Sequence, residues 1–216
     1  MKSGALILAL IALFGCVAQT CADSEPLREL AAGEQCSIQV ARHYVIQDAV
    51  SWSNIWRSIP PAPPPHKIDF AAETVIGVTM GKRSTSGYSV AIREVEATTN
   101  RLRITVTYQS PLPGSIQRPV ITSPFHFVAI PKKYSEAEFH IQPVLSSVVG
   151  RGQINFSWAD LGTNYFYTLQ SSSSLDPASW LPVEGWLSPK RTNGWSTALS
   201  SVRARFFRLK AEISAP

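Results

Sequence analysis

Apolar and polar residues alternate with period two along much of this chain, and one short segment switches to helical spacing. Val75–Met80 is a short apolar, partly β-branched run, and Tyr88, Val90 and Ile92 alternate with Ser89 and Ala91. Both patterns predict strands. Between them Gly81 and Gly87 bracket a loop of small residues, as positive φ is cheap for glycine. Further strands are predicted at Ser37–Ile46, Arg101–Tyr108, Val120–Ser123, Phe125–Ile130 and Glu138–Ile141. Trp52, Ile55, Trp56 and Ile59 recur at helical spacing, so a short helix is predicted over Ser51–Ile59 with Asp48 as its N-cap. Pro60–Pro65 ends it, and a stiff polyproline connector is expected there.

A second series of strands follows at Gln153–Trp158, Tyr165–Gln170, Trp180–Val183, Trp195–Leu199 and Ala204–Ala211. Small residues and two glycines in Leu145–Gly152 break the pattern between the two series. The fold class is therefore mostly β: a β-rich first domain over 24–145 with one short helix, then a small all-β sandwich over 151–213.

The N-terminus changes the picture. Lys2 followed by the apolar run Ala5–Phe14 is a secretory signal, too short to span a bilayer, so residues 1–22 are set apart from the fold. Leu13-Phe14-Gly15-Cys16 is similar to a bacterial lipobox, with Cys16 as the lipidated residue, and it follows the apolar run directly. Ordinary cleavage before Asp23 is the alternative. Either route makes the protein extracytoplasmic: an outer-membrane or cell-surface lipoprotein, otherwise periplasmic or secreted. Lipidation leaves Cys21 and Cys36 as a candidate disulfide; the alternative makes Cys36 a lone buried thiol.

Charge adds little. The formal net charge is +5, and the C-terminal cations Arg203, Arg205, Arg208 and Lys210 alternate largely with apolar residues, as on the solvated face of a strand. A nucleic-acid partner is not expected for an exported chain. Chemistry is sparse as well. Gly87-Tyr-Ser-Val-Ala91 matches the nucleophile elbow only superficially, because Ser89 falls within a strand pattern. No two of His43, His66, His126 and His140 have metal-ligand spacing, and Glu94 and Glu96 read as a solvated strand face. We expect no enzyme activity and no cofactor.

Ile68-Asp-Phe70, Val75-Ile-Gly-Val78, Gly81, Thr85-Ser-Gly-Tyr88, Val90-Ala-Ile92, Pro113-Gly114, Thr122-Ser-Pro-Phe125 and Val128-Ala-Ile-Pro-Lys132 occur in that order. This set resembles the C-terminal domain of PrcB-type protease-complex subunits. Ser86 and Phe125 stand where the family usually has glycine and tyrosine. The resemblance implies a non-catalytic exported lipoprotein that binds and stabilises a partner protein such as a secreted protease. The loop of Lys82, Arg83, Thr85, Gly87 and Tyr88 is the candidate partner-binding element. Protease inhibition and cell-surface or carbohydrate adhesion are the alternatives. Residues 153–210, through Ile154-x-Phe156-x-Trp158, Tyr167–Ser171, Trp180 and Arg205-Phe-Phe-Arg-Leu209, are similar to a short fibronectin type III-like module of secreted Verrucomicrobia-like proteins.

Overall fold

The computed structural model describes residues 23–59, 67–97, 101–131, 134, 136–161, 165–183, 193–198 and 206–213. The signal segment with Cys16 and Cys21, the proline run 60–66, and Arg203 and Arg205 lie outside the described residues. The described chain is mostly β, with a single short α-helix and several small sheets.

In order, the first elements are β1 (Asp23–Ser24), β2 (Arg28–Gly33), β3 (Ala41–Ile46), α1 (Ala49–Trp56), β4 (Glu73–Met80), β5 (Ser89–Ala97), β6 (Arg101–Gln109), β7 (Phe125–Pro131) and β8 (Glu136–Pro143). They make two four-stranded sheets, ordered β1-β5-β6-β8 and β2-β7-β4-β3. Ile76, Val78, Val128 and Ile130 of one sheet share a buried core with Val90, Ile92, Leu102, Ile104 and Val106 of the other. The opposite face of the second sheet takes α1: Trp52 and Trp56 pack with Val75, Phe125, Phe127 and Ala129. The central strands β4 and β7 are thus covered on both faces, which is why they read as continuous apolar runs rather than alternating ones.

Asp48 caps α1 as expected, accepting from the Ser51 N–H at 2.8 Å. The helix ends at Trp56, before the predicted Ile59, and tightens through i→i+3 bonds from Ser58 to Ile55 and Ile59 to Trp56. The β3 strand is shorter than predicted because Ser37 is drawn to the end of α1, its N–H donating to the Ser58 carbonyl at 2.7 Å. Val120–Ser123 is not a strand; it contributes one antiparallel bridge, Thr122 to Arg83. The β5–β6 pairing carries a bulge between Ile92 and Glu94. That extra residue lets Val95 return to the core after Ile92 and leaves Glu94 exposed. Strand β8 pairs in parallel with β6 after β7 has crossed into the other sheet, a pairing that local pattern cannot reveal.

The remaining strands are β9 (Ser146–Gly150), β10 (Gln153–Ser157), β11 (Tyr165–Ser172), β12 (Leu181–Pro182), β13 (Gly194–Ala198) and β14 (Phe206–Ile213). They form two three-stranded sheets, β13-β10-β9 and β12-β11-β14. Phe156, Trp158, Tyr167, Leu169 and Val183 make their core. The small-residue stretch read as a break is β9 and a tight hairpin turn. Arg151 (φ 52°) and Gly152 (φ 74°) give that turn the two positive φ values of a two-residue hairpin. Leu161 packs against both this core and the first one.

Candidate functional site

The loop Gly81–Tyr88 leaves β4 and enters β5 at one end of the paired sheets. Gly81 (φ +69°) and Gly87 (φ +89°) occupy the left-handed region, as the glycine spacing predicted. A Cβ on Gly81 would lie 2.6 Å from the Ala41 nitrogen, so the chain closes onto β3 there. The Lys82 N–H donates to the Gln39 carbonyl at 2.9 Å. Arg83 and Thr122 exchange backbone bonds at 2.8 and 3.0 Å, and the Thr122 hydroxyl donates to the Thr85 carbonyl at 3.0 Å. The Ser86 N–H donates to the Arg118 carbonyl, and the Arg118 N–H to the Ser86 hydroxyl, both at 3.1 Å.

The loop is therefore lashed to the segment Pro111–Ser123. Lys82 and Gly87 are exposed, whereas Arg83, Thr85 and Tyr88 are half-buried. The Arg83 guanidinium donates to the Met80 carbonyl at 3.1 Å and lies 5.5 Å from the Tyr88 ring centroid, an arrangement that stiffens the loop from within. Pattern reading missed the companion segment. Its apolar residues Leu112, Ile116, Val120 and Ile121 are all exposed, Ile116 at 99 %. The available signal was an apolar content without strand periodicity, interrupted by Pro111, Pro113 and Pro119.

Cys36 is a free, buried thiol beneath this end; the Ser123 carbonyl, 3.3 Å from its Sγ, accepts its S–H. The Ser123 hydroxyl donates in turn to the Ile38 carbonyl.

Ser89 opens strand β5 opposite Gln109 and is exposed, with no helix following it. The buried His126 is engaged elsewhere. Its Nδ1 accepts from the Ile92 backbone N–H at 2.8 Å, and its Nε2 faces a Glu29 carboxylate oxygen at 3.3 Å. Burial pushes its pKa below the ordinary 6.5, against the opposing pull of Glu29. A cleft of about 300 Å³ opens beside it, lined in part by Glu29, Arg93 and His126. His43 stacks on Phe139 (4.6 Å between centroids, 12°) and lies 3.5 Å from the Tyr108 hydroxyl. Burial lifts Tyr108 to about 12. Tyr134 donates to the buried Glu25 at 2.6 Å, and its own pKa is raised chiefly by desolvation. Among the described residues no three of His, Cys, Asp and Glu converge as a metal site.

Among the described residues, the tryptophans of the second strand series, which the adhesion alternative would need in the open, are buried or half-buried. Trp158 is fully buried, Trp180 carries the Arg208 guanidinium 4.5 Å above its ring, and Trp195 is half-buried with its ring 5.9 Å from that of Phe156. A groove of about 700 Å³ runs between Pro113–Gly114 and the outer side of β9–β10–β13, past Asn155 and Ser196.

No curated protein and no solved structure matches the chain. Residues 74–131 match the family model described as PrcB C-terminal, a segment that contains the two central strands of each large sheet, the lashed loop and its companion segment.

Proposed function

We propose that this chain is a non-catalytic, exported accessory subunit that binds and stabilises a partner protein, such as a secreted protease. The observation that carries this reading is the PrcB C-terminal match over 74–131. The matched segment includes a stiff loop pair at one end of the sheets, held by backbone bonds and turned toward solvent. Stiffness suits recognition, because little conformational freedom is left to lose on binding. Cys16 is the proposed point of lipid attachment, holding the protein at a membrane outside the cytoplasm.

The placements of His126 and Ser89 support the same reading. The His126 imidazole is committed to a backbone N–H and Glu29, and Ser89 lies in a strand. A fluorophosphonate probe is expected to leave the purified protein unlabelled. The direct test is a crosslinking pull-down from native membranes, paired with an assay of extracellular proteolysis in cells that lack this protein. A protease should be recovered with the tagged chain, and its activity should fall in the deletion strain. Unchanged protease amount and activity, with nothing recovered, would reject the reading.

A further inference from the structure

The lashed end of the sheets has a chemistry of its own. No aspartate or glutamate occurs in Gln35–Gln47, Thr74–Arg93 or Ala97–Pro131. These three stretches meet at this end through the Lys82–Gln39, Arg83–Thr122, Ser86–Arg118 and Gln35–Ile121 hydrogen bonds. Glu94 and Glu96 sit further along β5, away from the loop, and Glu34, whose carbonyl accepts from the Ser123 N–H, borders the surface. Arg42, Lys82 and Arg118 are exposed on it.

Aliphatic side chains stand among these cations. Val40 is 61 % exposed, Leu112 51 %, Val120 40 % and Ile121 54 %, and Ile116 projects almost entirely into solvent. A single exposed aliphatic residue is ordinary, but five on segments joined by hydrogen bonds are a concentration that favours burial against another surface. Resting on the accessory-subunit reading, we propose that this acid-free cap is the docking surface, and that it fits a protein face on which carboxylates ring an apolar patch. The aliphatic residues would supply the buried centre. The cations would set orientation and association rate from the rim.

A photo-crosslinking experiment in cells that make the full chain tests this. The substitution Ile116→p-benzoylphenylalanine places the probe at the most exposed aliphatic position of the cap. Val50→p-benzoylphenylalanine, on exposed α1, is the control. We expect a protein adduct from position 116, with Asp or Glu in the partner's crosslinked peptide, and little from position 50. Adding Lys82→Glu and Arg118→Glu should cut the adduct by about tenfold, an effect of rim charges on association. Near-UV circular dichroism checks the fold, and Lys82→Gln with Arg118→Gln serves if the reversed pair does not fold.

Equal yields at the two positions, or indifference to the charge changes in a folded protein, would overturn the cap while leaving the accessory-subunit reading intact. A phospholipid adduct at 116 would also overturn it, in favour of a membrane-facing surface. Adducts from neither position, with an empty pull-down, would sink both proposals.

Discussion

Gly77 faces Phe127 across the β4–β7 pair, and the phenylalanine ring lies over the place where a side chain would begin. A Cβ at 77 would sit 2.1 and 2.3 Å from two ring carbons. Relief to ordinary contact requires a shift of about 1.4 Å, given optimal carbon separations of roughly 3.5 Å and above. The ring has little room to move. Phe127 is fully buried, with Trp52, Tyr44 and Phe125 at centroid distances of 5.6, 6.0 and 6.1 Å. Replacing a strand glycine by alanine would otherwise gain about 0.5–1 kcal/mol of backbone entropy. Overpacking costs about 1–3 kcal/mol, and a confined aromatic belongs at the top of that range. The clash therefore decides the sign, and Gly77→Ala should destabilise by about 2 kcal/mol net.

Phe127→Ala alone should cost about 3–5 kcal/mol. The double variant should cost no more than Phe127→Ala, because the new methyl enters vacated space. That non-additivity, about 2 kcal/mol, is well above the scatter of independent sites. Urea unfolding followed by tryptophan fluorescence, to which Trp52 beside this ring contributes, measures all three variants. Additive costs, or a stabilised Gly77→Ala, would refute the account of why glycine stands in β4.

Three further outcomes follow from other sites. The depressed pKa of His126 means that the unfolded chain takes up its proton first as pH falls, so this group's contribution to folding stability should be constant above about pH 6.5 and decline as pH drops toward the folded-state value, by at most about 1.4 kcal/mol per pH unit for one proton. His126→Gln, which can still accept from the Ile92 N–H without titrating, should flatten most of that slope in urea titrations at several pH values; desolvation lowers His43 in the same direction, so an unchanged slope would assign the effect to His43 instead. Cys36 should resist a thiol reagent such as DTNB in the native protein and react once urea unfolds it, whereas prompt native reaction would contradict its burial. Gly87→Val places a β-branched residue at φ +89° and should distort the loop and lower partner recovery severalfold, a strain of about 1–3 kcal/mol; full recovery by a folded variant would remove the loop from the binding surface.

Periodicity along the sequence determined the secondary structure where one force acted alone. Alternation in Arg101–Tyr108 marked β6, the Trp52/Trp56 spacing with Asp48 marked α1, and Gly81 and Gly87 marked a loop with positive φ. Each of these signals is local: a face to bury, a cap to fill, a steric restriction to escape. Tertiary structure decided what depends on residues distant in sequence. It set β8 parallel to β6, buried β4 and β7 on both faces, and formed a strand and hairpin turn within Leu145–Gly152, where the pattern shows no strand. It also held Val120–Ser123 out of the sheets and tied it to Arg83, so that exposed aliphatic residues collect beside the loop. No window of sequence contains that surface, because the hydrogen bonds that assemble it join residues more than thirty positions apart.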